Sequence, residues 1–259
     1  AAAEGDDKPS NKEKDVAEML AGKGSVEARQ AKAATTAANT KTRHLAGQAL
    51  ARILISTNPE MLPLSRVMDS IKPMLALIRT SGDNLMEYEG LMALTNLLSM
   101  RNTESTRGRF VSLRGIAAVE YCQFSQHPQV RCAATECFCN VIYHEEFIRH
   151  VAHDRGERLR LWISFAEEFQ EEEHFKNARA AMGGIAMMAE VPPLAILLCE
   201  RGAVEAMCWI VQNTDQDELH LRAVAALRAM CGVDKDATAV LPPREGSSES
   251  NSPQKDTKG

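Results

Sequence analysis

The chain has 259 residues, a formal net charge of −5 and 44% hydrophobic residues, which is apolar material for one or two cored domains. The acidic balance argues against a general nucleic-acid binder, which needs a basic surface, and no apolar run approaches the roughly 18 residues of a membrane span. Only 3 Tyr, 2 Trp and 7 Phe stand against many Leu, Ala and Met, a composition that favours helix over sheet. No secretory signal opens the chain, which starts Ala1-Ala2-Ala3 as an excised or internal segment would. Its 7 cysteines are an odd number, most of them inside apolar helical patterns, and point to a reduced, cytoplasmic protein.

In chain order, residues 1–43 are expected to be mobile or partly helical. The first 25 or so hold few large apolar groups to offset their ordering entropy, and the Ala-rich stretch after them is weakly amphipathic. His44 to Ser56 reads as the first clear helix, ended by Thr57-Asn58-Pro59-Glu60. Ser65 to Thr80 is next, with either a helix start or a kink at Pro73. Ser81-Gly82-Asp83-Asn84 turns into a helix over Tyr88–Met100, where Leu91, Leu94, Leu97 and Leu98 form an apolar stripe and Tyr88, Met92 and Asn96 form a second column.

Thr103 to Leu113 reads as a short helix stopped by Gly115, Ile116 to Phe124 as a medium one, and Val130 to Tyr143 as a long one after the His127-Pro128 break. The same order returns in Glu145–His153, Arg158–Phe169 and Glu171–Ala189. It returns again in the helix opened by Pro192-Pro193, Ala203–Val211 and Glu218–Cys231. The glycines and alanines of Ala178–Ala186 cost helix stability, about 1 kcal/mol for each glycine, and call for close packing there. From residue 237 to 259 the composition is that of a disordered tail.

These helices repeat. Asn140 lies 44 residues after Asn96, Gly184 another 44 on, Ala229 45 further, and Arg52 44 before Asn96. A period in the forties with three helices per unit (short, medium, long) is that of an armadillo solenoid rather than of two-helix HEAT units. The expected fold is all-α: an armadillo-repeat right-handed solenoid of about four to five three-helix repeats over residues 44–236, with disordered termini.

Catalytic signatures are missing: there is no Ser-His-Asp order, no Gly-rich phosphate loop and no zinc-protease motif. Cys132, Cys137 and Cys139 stand near His144, His150 and His153, but they fall on several helix faces with no Cys-x-x-Cys, so they read as small core hydrophobes rather than a metal site. The Glu167–Glu173 run reads as a solvated helix end. No enzyme, cofactor or metal is expected.

The stretch from about Leu45 to Tyr143 resembles the UCS family of myosin chaperones. The resemblance is carried by Ala49-Leu50-Ala51-Arg52-Ile53, Thr57-Asn58-Pro59-Glu60 and, most specifically, Tyr88-Glu89-Gly90-Leu91-Met92-Ala93-Leu94-Thr95-Asn96-Leu97. Val119-Glu120-Tyr121, His127, Val130-Arg131-Cys132-Ala133-Ala134 and Glu136-Cys137-Phe138-Cys139-Asn140 continue it. Residues 144 to 232 keep the period and match less closely. The resemblance implies a cytosolic co-chaperone that binds the myosin motor domain in a groove lined by the long third helices and assists its folding and assembly. Some members of that family recruit Hsp90 and Hsp70 through a tetratricopeptide domain; no such repeat is read in this chain, so a domain of that kind either lies outside it or is not part of the protein. The alternative is an armadillo scaffold that docks a folded partner without chaperone activity.

Mapped onto that groove, the lining residues are Tyr88, Met92 and Asn96, then Cys132, Glu136 and Asn140, then Lys176, followed by Ala180 and Gly184. Asn96 and Asn140 match the armadillo asparagine, whose amide both donates to and accepts from an extended peptide; Arg52, Gly184 and Ala229 interrupt the row. On this reading Asn96 faces outward, and Asn96→Tyr abolishes client binding without disturbing the fold.

Overall fold

A computed structural model describes residues 11–100 and 104–232 of the chain, with side chains from residue 31 onward, Asp154 excepted. Within them lie twelve α-helices: α1 (Asn11–Ser56), α2 (Leu64–Thr80), α3 (Asn84–Leu98), α4 (Glu104–Ser112), α5 (Gly115–Gln123), α6 (Pro128–Cys139), α7 (Glu145–Ala152), α8 (Glu157–Glu167), α9 (Phe175–Ala189), α10 (Pro192–Glu200), α11 (Ala203–Asn213) and α12 (Asp217–Cys231). The segment 237–259 lies outside the described residues, as do residues 1–10.

Helix boundaries follow local chemistry. The Asp83 carboxylate accepts from the Met86 N–H at 2.9 Å and starts α3, satisfying one of the orphan donors at the helix N-terminus. Pro128 and Pro192 open α6 and α10 at positions where the missing N–H costs nothing. His144 caps α7 by accepting from the Glu146 N–H at 3.2 Å. Glu145 and Glu146 fill the first turn of that helix, and Arg149 and His150 the last, which suits the helix dipole.

Two local expectations are narrowed and one is replaced. Helix α1 is continuous from Asn11 to Ser56, with no break at residue 43, although residues 31–43 are exposed throughout. Of the two readings of Pro73 the helix start is excluded, because the residue sits inside α2. Gly115 opens α5 rather than closing α4: the chain turns at Arg114, whose φ of 57° is left-handed. Glycine is needed at 115 because a Cβ there would stand 2.4 Å from the Phe110 ring.

The long helices pack in sequence, α1 against α3, α3 against α6, α6 against α9 and α9 against α12. They form one layer, in which the column positions 44–45 residues apart recur. Helices α2, α5, α8 and α11 back this layer, with α2 beside α5 and α8 beside α11, while α4, α7 and α10 join successive units. A two-helix unit, α2–α3, and three three-helix units, α4–α6, α7–α9 and α10–α12, thus follow α1 among the described residues, as an armadillo-like solenoid. A single buried cluster runs from Ala51 to Met230 through all of them, which is how units too small to bury their own apolar faces become stable.

Candidate functional site

The face of the long-helix layer is tied together by side chains that reach from each helix to its neighbour's backbone. The Asn96 amide of α3 donates to the carbonyls of Leu54 at 2.7 Å and Thr57 at 2.8 Å. These carbonyls lie at the C-terminus of α1, where helical carbonyls lack intrahelical partners. The Asn140 amide donates to the Thr95 carbonyl of α3 at 3.0 Å. Between α6 and α9 the Thr135 hydroxyl donates to Asn177 Oδ1 at 3.0 Å in a fully buried setting. Between α9 and α12 the Arg222 guanidinium donates to the Arg179 carbonyl at 2.6 Å.

This geometry corrects the reading of Asn96 as an outward-facing rung. Both N–H groups of its amide are spent on α1, so they are not offered to an extended peptide. Asn140 points the same way, towards the preceding long helix. Asn96→Tyr is therefore a folding variant rather than a clean probe of binding. Gly184 also leaves the column: a Cβ on it would meet the Trp162 ring at 2.2 Å, so this position faces α8. That close approach is the packing reason for the small residues of α9.

The remaining candidates lie half-buried or exposed on the long helices. Tyr88 and Met92 are half-buried on α3 and rest against the core. Cys132 and Glu136 are half-buried on α6, and Lys176 is exposed at the start of α9. Cys132, Glu136 and Lys176 come together with Arg179. The Cys132 thiol is pushed up to about 12, first by burial and then by Glu136, with Arg179 and Lys176 acting in the opposite sense. Burial likewise raises Cys137 and Cys139 to about 12, so all three are protonated thiols at neutral pH. Among the described residues no group of three or more His, Cys, Asp or Glu converges on a metal-sized point, and no helix is long and apolar enough to cross a membrane.

Sequence reading missed the basic and acidic groups that continue this face. Arg179 approaches Glu218 at 3.6 Å, Arg222 binds Glu218 at 2.7 Å, and one Arg222 nitrogen stands 2.5 Å from where a Cβ on Gly183 would be. The signal was available: Arg179 sits one turn after Lys176, and Glu218 with Arg222 is an i,i+4 pair. Further along the face Tyr143 donates to the Glu190 carboxylate at 2.7 Å. The surface therefore grades from an aromatic and thioether end at α3 to a charged end at α9 and α12.

No family model matches the chain. It is similar to protein unc-45 homolog B of Danio rerio, with 32% identity over 194 residues, 73% of this chain and 20% of the relative. Among solved structures it is similar to UNC-45 from Drosophila melanogaster, at 28% identity and a TM-score of 0.66, covering 74% of this chain and 24% of that one. It is also similar to the myosin chaperone UNC-45 from C. elegans in complex with an Hsp90 peptide, at 25% identity and a TM-score of 0.62, covering 71% of this chain and 20% of that one. The chain thus spans about a fifth to a quarter of these proteins' length.

Proposed function

We propose, the chain being related in both sequence and fold to the UCS family of myosin chaperones, that its long-helix face is a client-binding groove for the myosin motor domain. The observation that supports this is the joint match in sequence and fold to UNC-45 proteins, one described as a myosin chaperone, over 71% to 74% of the chain. Tyr88 and Met92 supply apolar anchor area at one end. Glu136, Lys176, Arg179 and Arg222 set polarity and register at the other. Holding a partly folded motor segment there withdraws apolar surface from aggregation, and no covalent step is required. The site of action is the cytoplasm, with Hsp90 and Hsp70 as the partner chaperones, C. elegans UNC-45 having been solved with an Hsp90 peptide.

The test is capture of purified myosin motor domain by the chain, with Tyr88→Ala/Lys176→Glu alongside. The double variant is expected to keep the wild-type helical spectrum and melting temperature and to weaken capture about tenfold or more, the effect of losing a hot spot. Equal capture by both proteins would remove the groove from this face. Capture without suppression of heat-induced motor aggregation would replace the chaperone reading with that of a scaffold for a folded partner.

A further inference from the structure

The seams between long helices use the same columns, which recur every 44 or 45 residues on α1, α3, α6, α9 and α12. One column points back to the preceding long helix. In it Glu89 of α3 pairs with Arg52 of α1 at 2.8 Å, Asn177 of α9 accepts from Thr135 of α6, and Arg222 of α12 donates to the Arg179 carbonyl of α9. Ala133 holds this place on α6 and is buried; Leu45 holds it on α1. One turn on, Ala93, Cys137, Ala181 and Ala226 are buried, and one turn further so are Leu97, Val141, Ile185 and Met230. Their counterparts on α1 are Ala49 and Ile53, again a small residue followed by a large aliphatic one. There the columns stand open. Leu45 is 51% and Ile53 61% exposed, Ala49 between them is exposed too, and no described residue covers them.

The opposite end of the layer carries the other half. Two columns face forward to the next long helix. On α6 they hold Thr135, bonded to Asn177, and Cys139, whose Sγ lies 3.8 Å from the Ala180 carbonyl. On α9 they hold Arg179, whose carbonyl accepts from Arg222, and Gly183, beside the Arg222 guanidinium. On α12 they hold Val224 and Arg228. Val224 is 51% exposed, and Leu221 one turn before it is 71% exposed; Ala225 and Arg228 are exposed as well. Scattered exposed apolar residues are ordinary, but Leu221, Val224 and Ala225 share one helix face, and that face is the one the inner helices use for packing.

We propose that these two faces are the halves of one interface and that a second copy of this chain occupies each: α1 of one copy stacks parallel to α12 of the next and continues the layer across the junction. The columns set the register. The place of the Thr135–Asn177 pair is taken by Val224 and Leu45, two apolar side chains where the inner seam has a buried hydrogen bond, so this contact closes with no polar group left unmet. Arg52 stands in the column of Asn96 and Asn140, which donate to carbonyls in the last turn of the preceding long helix. With 59% of its side chain exposed, it brings a cation to the C-terminus of the adjoining α12, the end whose dipole favours one. A second copy is selected because one chain carries both the open backward columns and the open forward columns, in matching order. The two faces differ, so the contact is heterologous, does not close on itself, and adds copies end to end.

The experiment is sedimentation velocity of the intact chain over a range of concentrations. The wild-type mass is expected to climb with concentration past that of a dimer. Leu45→Glu blocks the α1 face and Val224→Glu the α12 face. Both positions are exposed, so each variant is expected to keep the wild-type helical spectrum while its self-association weakens about tenfold or more. Mixed in equal amounts, the two variants are expected to form a one-to-one dimer that grows no further, because one still offers α12 and the other α1. A wild-type chain that stays monomeric at every concentration, association that survives either substitution, or a variant mixture that stays monomeric would overturn the proposal. A wild-type dimer that grows no further would overturn it in favour of two like faces meeting.

Discussion

Asn96 shows how one side chain serves the solenoid. Its amide substitutes for the helical turn that α1 lacks after Ser56, by donating to Leu54 and Thr57. Asn96→Ala leaves both carbonyls to find other partners and is expected to destabilise the chain by about 1–3 kcal/mol, read as a lower urea midpoint with unchanged slope. An unchanged midpoint would show that the two bonds contribute nothing net. The glycines separate in the same way. Gly184→Ala drives a methyl group into Trp162, which is 2% exposed and has the Phe138 ring beside it, so overpacking is expected to cost about 1–3 kcal/mol. Gly108 lies inside α4, where a Cβ would meet nothing within 4 Å, so Gly108→Ala is expected to stabilise by about 0.5–1 kcal/mol. Thermal melts of the two variants, side by side, check both signs.

Between elements, Glu120 is the joint that fixes α5 to α7 and α8. Burial by itself would raise its carboxyl, but hydrogen bonds from His150 and Arg158 outweigh burial and hold it below the ordinary value of 4.5. A carboxyl depressed in the folded state contributes stability that is complete above its unfolded pKa and is lost as pH falls through the folded one. Wild-type stability is therefore expected to fall off below about pH 4.5, whereas Glu120→Gln shows a shallower loss across the same window. Denaturant melts at pH 7, 5, 4 and 3 measure it; parallel curves for the two proteins would show that Glu120 is not the group responsible. The seams between long helices use different devices, an asparagine amide at two, a buried Thr–Asn bond at the third and an arginine at the fourth. The solenoid therefore does not depend on an unbroken asparagine row.

For the whole molecule, the buried cluster from Ala51 to Met230 couples the units through shared side chains. Phe138 belongs to α6 yet touches Phe147 of α7 and lies near Trp162 of α8, so it joins two successive units. Phe138→Ala is expected to cost about 3–5 kcal/mol and to lower one common transition, followed both by far-UV circular dichroism and by tryptophan fluorescence from Trp162 and Trp209. Separate transitions would mean that the units unfold independently, as nearest-neighbour arrays do when their interfaces are weak.

Local chemistry determined the helices, their three-per-unit order and the period near 44. Apolar spacing, proline positions and caps act within a few residues, and they could be read without knowing any neighbour. The resemblance of Tyr88–Leu97 to the UCS family was legible for the same reason, as a continuous run. Tertiary structure decided which face each column residue occupies. Asn96 and Asn140 meet carbonyls 39 to 45 residues away, Gly184 meets Trp162, and Glu120 meets residues 30 and 38 positions on. Those partners depend on how helices cross, and helical periodicity carries no information about crossing.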